Sequence, residues 1–157
     1  MIIFDVEASG LSEESYPIEI AWQDTDSPNE FDSFLIKPAS SWTYWDEKAE
    51  TKIHHISRDT LFSEGINADK ACCRLNQKLT GKTIYSDAFV FDKRWILKLF
   101  ANSKQAPSFN FGSIYDVIDT SLFQLFEREI EREVIAHRAL SDVRQIIRLL
   151  DLGANQA

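Results

Sequence analysis

The apolar positions of this chain change their period from one end to the other. Ile2, Ile3, Phe4 and Val6 form a short run that is apolar on both faces, as expected of a central strand. Pro17 to Thr25 and Glu30 to Ile36 read as two more strands, divided by the turn-formers Ser27, Pro28 and Asn29. Helical spacing then covers Asn67 to Leu79, a short strand covers Thr83 to Ser86, and a second helix covers Phe89 to Ala101. Another strand falls within Ser108 to Thr120, and a last helix begins near Ala139, with Gly153 as its stop signal. Strands first, then helix and strand in alternation, predict an α/β fold: a mixed five-stranded sheet flanked by helices. Without an internal repeat, low-complexity tract or linker, residues 1–157 are expected to form a single domain.

Composition narrows the partners. The net charge of -8 argues against gripping long nucleic acid through a broad basic surface, which needs many Lys and Arg contacts to phosphate. It leaves room for holding one chain end, because divalent ions bound to carboxylates would reverse the local charge. A strand beginning at Ile2 leaves no space for a targeting segment, and no apolar run reaches membrane-spanning length, so the expectation is a cytoplasmic protein without a membrane partner. Cys72 and Cys73 are adjacent, which suits neither a zinc pair nor an ordinary disulfide, and both read as reduced core or half-buried thiols.

Three elements break their own apolar pattern with an acid. Asp5 and Glu7 lie two residues apart on the first strand, hence on one face and about 6.6 Å apart along it. Asp92 falls in register with Trp95, Ile96 and Leu99 on the core-facing stripe of its helix, while Lys93, Arg94 and Lys98 supply the exposed face. Asp142 borders the stripe made by Ala139, Val143 and Ile146. His137 lies five residues earlier, about 140° away on a regular helix, so it shares a site with Asp142 only from a turn before the helix. Each residue also has a plainer reading. Asp5 and Glu7 suit an exposed strand end, Asp92 a first-turn acid, and Asp142 the start of a helix capped by Ser141. Buried anions that converge require cations, and hard oxygen ligands favour Mg²⁺ or Mn²⁺ over zinc.

Phe4-Asp5-Val6-Glu7-Ala8-Ser9-Gly10-Leu11, Tyr85 to Asp92, and Ala136-His137-Arg138-Ala139-Leu140-Ser141-Asp142 together resemble the three motifs of the DEDDh-type, DnaQ-like 3′-to-5′ exonucleases of the ribonuclease H-like superfamily. Ala8 replaces the usual Thr, as in the three-prime repair exonucleases, and Ser86-Asp87 stands where the second motif has His-Asn. Ile53-His54-His55-Ile56-Ser57 is similar to the Ile-His-Gly-Ile-Thr stretch of many members. The run Glu127 to Glu133 replaces a longer family segment and reads as a solvated helix face.

That resemblance implies a ribonuclease H-like fold and hydrolysis at a nucleic-acid 3′ end, of DNA or RNA, releasing nucleoside 5′-monophosphates. Asp5, Glu7, Asp92 and Asp142 would hold two ions, Mg²⁺ or Mn²⁺, and His137 would be the general base. Ala8, Leu11 and Ile56 would contact the terminal nucleotide, with Leu11 as a wedge beside the last base. Relatives often pair, so a homodimer is part of the expectation. Read from the residues alone, Leu11 serves equally as a turn residue folded onto the core. Trp42, Tyr44 and Trp45 are either base-stacking groups or a local hydrophobic plug. The competing function is a catalytically degenerate relative that binds nucleic acid or a polymerase without cutting.

Overall fold

The computed structural model describes residues 1–119, 122–124 and 137–154. The charged run Glu127 to Glu133 lies outside the described residues. Five strands, β1 (Ile2–Ala8), β2 (Pro17–Asp24), β3 (Phe31–Leu35), β4 (Thr83–Ser86) and β5 (Asn110–Ser113), form one sheet in the order β3-β2-β1-β4-β5. β1 and β2 pair antiparallel, as do β2 and β3, whereas β4 runs parallel to both β1 and β5. The sheet is therefore mixed, as the element order predicted.

Two helical layers cover it. On one face α3 (Ala68–Leu79) and α4 (Phe89–Asn102) pack Ala71, Leu75, Trp95, Ile96 and Leu99 onto Ile2, Phe4, Val6, Ile18, Ile20 and Trp22. On the other face α5 (Ala139–Ala154) packs Ala139, Val143, Ile146 and Leu149 against Ile3 and Ala21. The double-sided apolarity of β1 thus has its cause: even-numbered residues face α3 and α4, and Ile3 faces α5. Asp5 and Glu7 continue the Ile3 face beyond the point where it is filled by hydrocarbon.

Predicted and observed elements differ most between β3 and α3. A one-turn helix, α1 (Glu47–Ala49), runs into a π-helical turn (Glu50–His54), and α2 (Arg58–Glu64) follows. The sequence reading left this stretch without helices, because its apolar residues are too few to set a period. Each start still carries a local signal: Asp46 accepts from Lys48 N–H, and Ser57 from Thr60 N–H. Asn67 likewise caps α3. Two of the three aromatics form a plug: Trp42 is buried and stacks on Tyr16 at 5.4 Å, and Trp45 packs on Tyr16 and His54.

α4 departs from its expected outer face. Lys93, Arg94 and Lys98 are half-buried, while Val90, Phe91 and Leu97 are exposed. Arg94 lies over the rings of Trp95 and Phe91, and Lys98 Nζ donates to the carbonyls of Glu13 and Ser15. Their long stems cover apolar surface while the charged heads find aromatic faces or loop carbonyls. Cys72 is buried and Cys73 exposed, both as free thiols. α5 runs through Gly153 to Ala154 rather than stopping at the glycine. Among the described residues, no helix is long and apolar enough to cross a membrane.

Candidate active site

β1 and β4 are registered only through Ile2 with Ile84 and Ile3 with Tyr85. Beyond those pairs they part, opening a cleft outside the carboxyl ends of two parallel strands, where α/β sheets commonly bind ligands. β1 brings Asp5 and Glu7 to its wall. The end of β4 brings Ser86, the β4–α4 connection brings Asp87, and the first turn of α4 adds Asp92. His137 and the first turn of α5 bring the histidine and Asp142.

Ligand atoms of Glu7, His137 and Asp142 lie within 4.8 Å of one another, and so do those of Asp5, Asp87 and Asp92. All five predicted residues are therefore brought together, from three separate segments. Asp92 is both things the sequence allowed, a first-turn acid and a buried one, with 2% exposure. His137 sits in the turn before α5, where the angular argument required it, with a φ of 46°. Left-handed backbone at a residue with a Cβ is uncommon and tends to mark functional turns.

The acids shift one another. Burial, then the charge of Asp92, Glu7 and Asp142, pushes Asp5 well above the usual carboxylate range. Burial and the neighbouring Asp142 and Glu19 raise Glu7 to about 7, with Arg138 opposing. Asp142 rises to about 6 by burial and the charge of Asp87. Asp92 is also raised well above its ordinary value, mainly by burial, although Ser86 Oγ–H donates to its Oδ2. So many carboxylates crowding one another favour the protonated form unless cations neutralise them. Asp5 Oδ2 and Asp142 Oδ1 are buried without a hydrogen-bond partner in the protein, one in each cluster. Unfilled oxygen sites on clustered carboxylates fit two hard divalent ions.

Two cavities share Asp5, Ala88, His137 and Asp142 as walls. The larger, of about 310 Å³, is also lined by Glu7, Ala8, Leu11, Ile53, His54 and Phe91. The smaller, of about 260 Å³, is lined by Asp87, Gln145, Ile146 and Leu149. Leu11 is 73% exposed at the rim, so it is a projecting side chain and not one folded onto the core. It follows Gly10, whose φ of 152° suits glycine and where an added Cβ would come within 3.0 Å of Asp46 Cβ and of the Tyr44 ring. Ile56 stands elsewhere, 4% exposed in the main core, and the cavity wall is formed by Ile53 and His54 instead. Left-handed His55, with a φ of 54°, ends the π-helical turn and sends Ile56 inward.

Sequence reasoning missed three polar groups. Asp87, read only as a departure from the family motif, belongs to the Asp5–Asp92 cluster. His54 is 1% exposed; its Nδ1 accepts from Ile56 N–H at 3.0 Å, leaving a buried Nε2 without a partner, and burial holds its pKa down at about 4. Glu19, 4% exposed on β2, binds Arg138 beside His137. A single acid in the otherwise apolar run Ile18, Ile20, Ala21, Trp22 was a signal that could have found it.

No protein-family model matches the chain, and no curated protein matches it in sequence. Solved structures of E. coli exonuclease I share its fold. The zinc-bound form in complex with single-stranded DNA superposes with a TM-score of 0.75 at 18% identity, covering 99% of this chain and 40% of that one. The complex with a dA16 oligonucleotide gives 0.71 at 16% identity, over 94% and 39% of the two chains. A further exonuclease I structure, described as suggesting how processivity is achieved, gives 0.73 at 17% identity over 94% and 39%. The chain thus spans about two fifths of those exonuclease I chains, and the mixed five-stranded sheet flanked by helices is ribonuclease H-like.

Proposed function

We propose that this chain is a metal-dependent 3′-to-5′ exonuclease domain acting on the 3′-hydroxyl end of single-stranded or overhanging DNA or RNA. The observation that carries the reading is the convergence of Asp5, Glu7, Asp92, Asp142 and His137 in one cleft, divided into two ligand clusters. The exonuclease I complexes with single-stranded DNA and dA16, on the same fold, support nucleic acid as the occupant.

Glu7 and Asp142 on one side, and Asp5 and Asp92 on the other, would hold two divalent ions, Mg²⁺ or Mn²⁺, with Asp87 beside the second pair. Bound there, such ions supply Lewis acidity toward the scissile phosphate and offset charge on the leaving oxygen. His137, next to Glu7 and Asp142, takes the proton of the attacking water on an imidazole nitrogen. Water oxygen bonds to phosphorus as the bond from phosphorus to the 3′-oxygen of the preceding nucleotide breaks. That oxygen is protonated from solvent, and a nucleoside 5′-monophosphate leaves. Ala8 and Leu11 at the larger cavity place the terminal nucleotide, Leu11 lying beside its base.

The test is a 5′-labelled single-stranded oligonucleotide incubated with Mg²⁺ or Mn²⁺, using the parent chain and His137→Ala. Stepwise shortening by the parent, about 10²-fold or more slower in the variant, is expected of a general base. A mobility shift without shortening in either protein would instead establish the non-cutting binding module.

A further inference from the structure

Among the described residues near the cleft, Glu19 is the acid whose carboxylate pairs directly with the Arg138 guanidinium. It stands directly opposite Glu7 in the antiparallel register of β1 and β2, so its side chain leaves the sheet on the face that α5 covers. Its carboxylate is nearly inaccessible, and three donors converge on it. Arg138 Nη2 donates to Oε1 at 2.7 Å, Arg138 Nε to Oε2 at 3.0 Å, and Ala139 N–H to Oε2 at 3.0 Å. The last is one of the free N–H groups that begin a helix, here satisfied by a residue 120 positions away in the chain. A bidentate guanidinium and a backbone donor on one buried carboxylate fix both position and orientation.

What they fix is the turn that presents the histidine. Arg138 follows His137 directly, and Arg138 C=O accepts the N–H groups of Ser141 and Asp142, closing the first turn of α5. The helix itself is seated by Ala139, Val143 and Ile146 on the sheet, so Asp142 keeps its place by packing. His137 lies outside the helix in a left-handed conformation that surrounding structure must over-determine.

We propose that Glu19 is a positioning residue: by clamping Arg138 and the Ala139 N–H, it holds His137 over the Glu7–Asp142 pair. Glu19 touches neither nucleic acid nor ion. The proposal rests on the exonuclease reading for its kinetic consequence, but not for its geometry.

Two variants, Glu19→Gln and Arg138→Met, test it, each with and without His137→Ala. Arg138 is half exposed, so its replacement leaves the core intact if Glu19→Gln folds poorly. In the parent background each should lower kcat about 10- to 100-fold, the usual cost of removing a group that orients an active residue, with KM within about twofold. In the His137→Ala background neither should lower the residual rate by more than about twofold, because the residue they act through is gone. Equal losses in both backgrounds, or an unchanged parent rate, would overturn the proposal. A readout independent of turnover is the paramagnetic broadening of the His137 ring resonances by bound Mn²⁺, assigned by their loss in His137→Ala. Broadening should be strong in the parent and weakened in both clamp variants, and identical broadening in all three overturns the positioning role. If the parent shows clamp-dependent broadening but never shortens an oligonucleotide, the exonuclease reading fails and the positioning role survives.

Discussion

Replacing Glu7 by Gln should stabilise the metal-free protein at neutral to alkaline pH while removing one of the carboxylates proposed to hold an ion. Glu7 has a folded pKa of about 7 against an ordinary 4.5, because burial and the charges of Asp142 and Glu19 disfavour the carboxylate. Between those values the folded state binds more protons than the unfolded state, so stability falls as pH rises through the window from about 4.5 to 7. At about 1.36 kcal/mol for each factor of ten in proton affinity, the full span corresponds to roughly 3.4 kcal/mol above pH 7. Partial solvent access and the coupling of Glu7 to its neighbours reduce this to about 2 kcal/mol. Urea unfolding in EDTA reads it directly: Glu7→Gln should exceed the parent by about 2 kcal/mol at pH 8 and match it near pH 4.5. Saturating Mn²⁺ should reverse the order, since an ion at about 100 times its Kd adds roughly 2.7 kcal/mol to the form that binds it. A variant less stable than the parent in EDTA at pH 8, or a gap that does not change with pH, would refute the view that these acids are held against their repulsion.

Asp87→Asn should weaken Mn²⁺ binding, measured by titration calorimetry, by about tenfold or more if its carboxylate serves the Asp5–Asp92 cluster, and an unchanged isotherm removes it from the site. Leu11→Ala should leave the urea midpoint within about 0.5 kcal/mol of the parent, as for an exposed residue, yet raise KM for oligonucleotides. A large loss of stability would return Leu11 to the core. Gly10→Ala should cost about 1 kcal/mol or more in thermal or urea unfolding, because the new Cβ meets Asp46 and Tyr44 in a positive-φ turn. A neutral substitution would show that the turn relaxes freely.

Much of this architecture was legible because its decisive signals are local. β4 was predicted over the same four residues the structure shows, and Asp92 could be placed inside from its spacing to Trp95, Ile96 and Leu99. His137 had to leave the helix for purely angular reasons, and it does. The rest depends on geometry that sequence does not carry. Which residue of 53–57 faces the cleft is decided by one left-handed residue, His55, and so Ile53 and His54 line it where Ile56 was expected. Asp87 looked like a lost asparagine until the β4–α4 turn set it beside Asp5. Lys93, Arg94 and Lys98 read as a wet face because periodicity registers charge and not where a long side chain ends.

The brevity of the β1–β4 ladder has a mechanical consequence. After two registered pairs, β1 gives up its backbone rungs to β4 along the very stretch that carries Asp5 and Glu7, while keeping those to β2. Ions held by the carboxylates of β1, the β4–α4 junction and α5, as proposed, would add to the hydrogen bond that already ties Asp92 to the Val6 backbone. The proposed ion sites would then also splint the short seam between β1 and β4.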